Sequence, residues 1–327
     1  MSWGGPDPLF DGWHALDWEE RRERRFARWR AAQGVEFVDE AVRRAYQERV
    51  QLLIDAISLK KPARVPVSVA VGFYVGKYSG LTKRESMYDY EKCAAALVKY
   101  HEDFLPDFQA RPVAPGRVFD LLGLEFVDWP GKGLPDDMPW QYLEAEYMKP
   151  EEYDALIADP ESYFRRALLP RFGSAFAALS GLGPFSDLME AASMPFNILP
   201  FANPAVAEGV RRLADAAQES FAWLKATQAA DAEAAARLGI PPELGGSAKA
   251  PYDILADTLR GTKGVMVDRF RRPEKILAAV ERFVPLMVDL SVRQAARAQA
   301  PLIFFWLHKG ADSFMSVDDF RTFTGRR

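Results

Sequence analysis

An α/β fold built on a parallel sheet is the fold class this sequence predicts, and three observations predict it. Short runs rich in β-branched or aromatic residues, such as 65–71 and 302–307, are bounded by Pro, Gly or polar residues. The segments between them carry apolar residues at three- and four-residue spacing, the pattern of helices that bury one face. Strand and helix alternate along the chain, which calls for βαβ crossovers.

In chain order, residues 17–33 mix both charge signs around Trp18, Phe26 and Trp29, which predicts a solvated helix with a narrow apolar stripe. A second helix carries Val42, Tyr46, Val50, Leu53 and Ile57, with Pro62 marking its end. Residues 65–71 read as a strand buried on both faces. Tyr90, Cys93, Leu97, Tyr100 and Phe104 then form a helical face, and a second extended segment follows at 108–113. Between 124 and 148, two extended stretches flank a Pro- and Gly-rich turn, which reads as a hairpin or two short strands outside the main sheet. Asn203 and Pro204 supply the N-cap and first turn of a helix whose face is Val206, Val210, Leu213, Ala217 and Leu224. A third strand is expected within 245–255, a helix from Pro273 carries Ile276, Leu277, Val280, Val284, Met287 and Leu290, and 302–307 is the fourth strand.

The 327 residues are 49% hydrophobic and 27% charged, enough to bury a large core. A net charge of -4 provides no basic field for a nucleic-acid backbone, so nucleic acid is excluded as a partner. The single cysteine, Cys93, excludes an intrachain disulfide framework and a zinc site of paired thiolates, and fits a reducing cytoplasm. The first residues lack the basic start and apolar run of a signal peptide, and no stretch approaches the roughly 20 apolar residues of a membrane span. The expected protein is cytoplasmic and has no membrane contact.

Four stretches resemble the uroporphyrinogen decarboxylase superfamily, which also contains corrinoid-dependent methyltransferases. They are Glu48-Arg-Val50 with residues 61–67; residues 122–125 with 130–133; residues 250–253 with 260–264 and 272–275; and residues 304–320. The resemblance implies a TIM (β/α)8-barrel type, here truncated after about four barrel strands. An N-terminal helical arm (1–40) would precede the barrel domain (41–327), which would carry a helical insertion at about 160–240. It also implies a site at the C-terminal ends of the strands and a small-molecule tetrapyrrole-like substrate or a corrinoid protein as partner, with a homodimer as the oligomer to test for.

The chain departs from the decarboxylases at two places. Where they carry an Arg-Gln-Ala-Gly-Arg loop for substrate carboxylates, residues 72–78 read GFYVGKY, with Lys77 the only cation. Where they place a catalytic Asp after strand two, residues 111–115 read RPVAP. These departures turn the expectation towards methyltransferase-like chemistry, with decarboxylation in porphyrin biosynthesis as one alternative and a non-catalytic, partner-binding partial barrel as the other. The methyltransferases hold zinc with His and Cys in later barrel strands. No metal or cofactor is therefore expected to be held by this chain, zinc and corrinoid belonging to a full-length relative.

Within that frame, His308 and Asp253 are the candidate catalytic groups, since each falls at an expected strand end where a barrel exposes its chemistry. Lys309, Arg260 and Lys263 are candidate anion-binding groups, and Tyr74 and Lys77 occupy the place of the arginine loop. The alternatives are equally concrete. His308 is otherwise a loop histidine bonded to backbone and Asp253 a helix cap. Arg260 and Lys263 otherwise belong to a solvated turn, and Tyr74 packs in the barrel mouth. His14 and His101 have no such context.

Overall fold

The computed structural model describes residues 12–68 and 71–325. Helix Trp18–Ala31 starts where Asp17 and Glu20 cap one another: the Glu20 N–H donates to the Asp17 carboxylate at 2.8 Å, and the Asp17 N–H to Glu20 at 2.9 Å. Its apolar stripe buries Phe26 and Trp29 against Tyr46, Val50 and Ile54 of helix Glu40–Ile57, together with Phe108 and Ala300. The Trp29 indole N–H also donates to the Pro242 carbonyl at 3.0 Å. The expected N-terminal arm is thus part of a core that reaches the start of the sheet.

The expected first strand falls partly on Val69 and Ala70, outside the described residues, and 65–68 form no strand. Residues 108–113, expected as the second extended segment, form no strand either. Single backbone bonds tie these segments together, Asp107 N–H to Val67 O at 3.3 Å and Gln109 N–H to Pro241 O at 3.1 Å. Asp107, nearly fully buried, reinforces the first junction by accepting from the Arg64 guanidinium and from the Val67 N–H. His101, on helix Tyr90–Phe104, accepts from the Ala110 N–H at 2.9 Å, and burial pushes its imidazole down to about 4. It is a neutral structural group.

The stretch 124–148 forms a small sheet in the order β2-β1-β3, with β1 at Val127–Pro130, β2 at Gly133–Leu134 and β3 at Gln141–Tyr142. A second sheet pairs β4, Leu244–Lys249, in parallel with β5, Leu302–Trp306. The pairing slips between Leu244 and Gly246, where a side chain on Gly245 would strike the Ala300 carbonyl and one on Gly246 would strike Gln294. The expected third strand therefore ends early. Ala250 begins a helical segment, so Tyr252 and Asp253 lie in its first turn, because Pro251 presets a helical φ and cannot continue the ladder.

Helix Pro273–Arg297 runs between β4 and β5 and buries Ile276, Ala279 and Phe283 against Tyr252, Leu255 and Leu259. Val284, expected on its buried side, is 42% exposed, and Val288 is 53% exposed, as are Phe304, Phe305 and Trp306 of β5 to a similar degree. The far edge of β5 has no strand partner among the described residues.

The stretch 160–202 is broken into short helical turns, whereas Pro204–Leu238 is one helix of 35 residues. The long helix packs on the body of the chain, its Ala230 lying among Ala96, Leu97 and Tyr100 of helix Tyr90–Phe104. Of its expected face, Val206 is buried and Val210 is exposed. Gly209, Ala216, Thr227 and Ala230 are also inside, and a side chain on Gly209 would strike Ala175 and Ala178, so the small residue permits the close approach there. No helix among the described residues is long and apolar enough to cross a membrane.

Asp231, on the same helix, has a buried carboxylate oxygen with no hydrogen-bond partner, and burial raises its carboxyl to about 7 against the pull of Arg111. A folded-state value above the unfolded one means that the native state holds the proton more tightly. The resulting penalty is absent below about pH 4, grows as pH rises towards 7, and is constant above that. Asp231→Asn is expected to stabilise the fold by roughly 2–4 kcal/mol at pH 8, with the gain vanishing near pH 4. Urea unfolding across that range checks it; a pH-independent difference would refute it.

Candidate functional site

The C-terminal ends of β4 and β5 bring four chemically active side chains together. After Trp306 the chain turns, and Asp253 holds the turn: its carboxylate accepts from the His308 N–H, and from the Lys309 N–H at 3.2 Å. Asp253 is completely buried. Burial raises its carboxyl above the usual range, with the nearby Asp257 charge adding, while the two backbone bonds oppose the shift. Neither carboxylate oxygen faces solvent, and both hold the turn that presents His308.

From Ile254 to Leu259 the helix widens into a π turn, a departure common where a helix must aim a functional side chain. This turn carries Asp257, which lies 2.7 Å from Nδ1 of His308, 2.9 Å from Nζ of Lys249 and 3.7 Å from Nζ of Lys309. Burial pushes the Asp257 carboxyl up, but Lys249 and then His308 outweigh it and leave it below the ordinary range. An ionised Asp257 places the His308 proton on Nδ1 and leaves Nε2 as the basic nitrogen. The His308 side chain is 50% exposed, and its Nε2 has no hydrogen-bond partner among the described residues.

Lys249, at the last position of β4, also reaches Thr258 Oγ1 at 3.3 Å. Lys309 Nζ sits 4.4 Å above the Phe314 ring, and the Trp306 ring meets His308 edge-on at 5.8 Å. The site is therefore a proton-carrying imidazole flanked by two ammonium groups, with an aromatic wall on one side.

Asp253, Asp257 and His308 can bring one ligand atom each within 4.8 Å of one another, a spacing that would suit a metal ion. Their partners argue against a cation there. Both Asp253 oxygens face N–H donors, and Asp257 is already matched by two ammonium groups. The zinc chemistry of the methyltransferases does not fit either, because it needs thiolates. Cys93 is buried in helix Tyr90–Phe104, where burial pushes its thiol up to about 11.

The other expected site residues are distributed differently. Arg260 is 2% exposed, with Nε 2.6 Å from Asp268, and it also donates to the Met148 carbonyl. It serves the core, not a ligand, because helix Gly261–Arg271 folds Asp268 back onto it. Lys263 is exposed on that helix. It neighbours the site through Glu144, which Thr262 holds below the usual carboxylate range, with Lys309 and Lys263 adding. Tyr74 and Lys77 lie on the short helix Tyr74–Tyr78, where Tyr74 stacks on Tyr78 at 6.0 Å and meets Phe104 edge-on. No hydrogen bond or ion pair among the described residues joins that helix to His308.

Two members of the site, Asp257 and Lys249, have no counterpart in the sequence-level expectation. The signal for Asp257 was its four-residue offset from Asp253, which is meaningful only on a helix, and that stretch reads as strand. No protein-family profile, curated protein or solved structure matches this chain.

Proposed function

We propose that this protein is an enzyme of the uroporphyrinogen decarboxylase type that acts on a carboxylate-bearing tetrapyrrole or corrinoid-linked substrate. His308 moves the proton, and Lys249 and Lys309 receive substrate carboxylates. The observation that carries the proposal is the His308–Asp257 pair, 2.7 Å apart, at the C-terminal end of two parallel strands. That is the end at which (β/α)8 barrels place their chemistry. The parallel β4–β5 pair, the helix between them, and the segments bonded at Val67–Asp107 and Gln109–Pro241 support a barrel-type reading in the order the resemblance implies.

The methyltransferase-like branch is favoured over decarboxylation. A porphyrinogen with several carboxylates calls for guanidinium forks, and Arg260 is committed to Asp268, while residues 72–78 offer only Lys77. In this branch His308 Nε2 takes the proton released by the nucleophile, and Asp257 stabilises the imidazolium that results. A second reading, a partner-binding module without catalysis, is favoured by the half-exposed apolar residues of β5.

Incubation with uroporphyrinogen, followed by product chromatography and gel filtration of the same sample, separates the three. No loss of carboxylates from monodisperse protein, monomer or homodimer, is expected. Stepwise decarboxylation would overturn the methyltransferase-like preference, and obligate self-association of inert protein would favour the module.

A further inference from the structure

A cavity of about 580 Å³ opens at the N-terminal end of β5, the end away from His308, between helix Trp18–Ala31, the end of helix Glu40–Ile57 and the first residue of β5, Leu302. His308 lies six residues beyond Leu302, which places the two sites roughly 20 Å apart along an extended chain. The volume falls in the range of small-molecule sites.

The wall is part apolar and part cationic. Trp13, Trp18, Phe26 and Leu302 line it, and so do Arg21, Arg22 and Arg25. Among the described residues the arginines have little to neutralise them. There Arg21 donates to the Trp13 and His14 carbonyls, at 3.1 and 3.5 Å. Arg22 pairs with the exposed Glu23 at 3.3 Å, while its own Nε is buried with no hydrogen-bond partner. Arg25 is half-buried, lies 4.9 Å from the Trp13 ring centroid, and makes no ion pair with a carboxylate among the described residues. Burial first, and the Arg21 charge second, push the Arg25 guanidinium below its usual value. Among the described residues, three guanidinium groups crowd an apolar hollow with one exposed carboxylate between them, which leaves it short of negative charge.

We propose that this cavity binds an amphipathic organic anion, a flat ring system bearing a carboxylate or phosphate. The guanidinium groups of Arg22 and Arg25 would grip the anionic end as planar forks, and the rings of Trp13 and Trp18 with Leu302 would cover the apolar body. Its distance from His308 makes it a second site, one that does not depend on the reaction assigned to the first.

The test uses the full chain and two isosteric probes, 2-naphthoate and the uncharged 2-naphthamide, followed by calorimetry and tryptophan quenching. The expected result is saturable binding of the naphthoate, at least about tenfold tighter than the amide and weakening as salt rises. Arg25→Gln is expected to lose about tenfold in naphthoate affinity. Equal affinities for the two probes in the wild-type protein would overturn the proposal, and that comparison stands even if the variant folds poorly. Unchanged binding by a folded Arg25→Gln would overturn it too, as would inorganic phosphate binding as tightly as the naphthoate, since the apolar wall would then contribute nothing.

Discussion

Asp268→Ala is expected to cost about 3–5 kcal/mol of stability, the largest single effect on the fold. Asp268 is completely buried and gathers three partners: Arg260 Nε at 2.6 Å, the Tyr153 hydroxyl at 3.0 Å and Arg272 at 3.1 Å. Removing the carboxylate leaves the Arg260 guanidinium in the interior with only the Met148 carbonyl and the partly exposed Glu146, 3.3 Å away. A buried cation without its counterion carries most of its desolvation cost uncompensated. Urea unfolding of Asp268→Ala, and of the double variant Asp268→Leu with Arg260→Met, measures this. The double variant is expected to recover most of the loss, because removing both charges together removes the cost of burying either. A single variant within about 1 kcal/mol of wild type would show that the pair contributes little.

His308→Gln is expected to lower turnover by about 10²–10⁴-fold, the usual contribution of a positioned proton carrier, while leaving the melting temperature nearly unchanged. The split follows from geometry. The side chain is half-exposed, touching Asp257 and the edge of Trp306, whereas the loop itself is held by the backbone N–H groups of residues 308 and 309 on Asp253. Asp257→Asn is expected to lower turnover as well but less steeply, since the imidazole remains and only its orientation and the charge opposite it are lost. Steady-state rates on the accepted substrate, with thermal melts of the same preparations, check both. A His308→Gln enzyme of wild-type rate would remove His308 from the chemistry.

Much of the scaffold was legible in the residues. Asn203 with Pro204, Pro273 and apolar spacing gave helices Trp18–Ala31, Glu40–Ile57, Tyr90–Phe104, Pro204–Leu238 and Pro273–Arg297, because such signals act within one or two turns. The aromatic run after Pro301 gave β5, and with it the position of His308 and Lys309 at a strand end. Local pattern misled where a short apolar run crossed from strand to helix, at 250–255, and there it hid the relation of Asp257 to Asp253.

What the sequence by itself determined, then, is most of the long helices, the strand 302–306 and the chemistry available at its end. What only the tertiary structure decided is which charges meet. Arg260 looked like a ligand group until helix Gly261–Arg271 folded Asp268 onto it, and Lys249 looked like an ordinary strand residue until β5 brought His308 beside Asp257. In Pro204–Leu238, Gly209 and Ala230 are buried while Val210 is exposed for a similar reason, since the elements packed on the helix set how closely the backbones must approach. Periodicity reports the face that an element wants to bury, but burial and charge pairing depend on the partner that covers it, and that partner comes from a distant part of the chain.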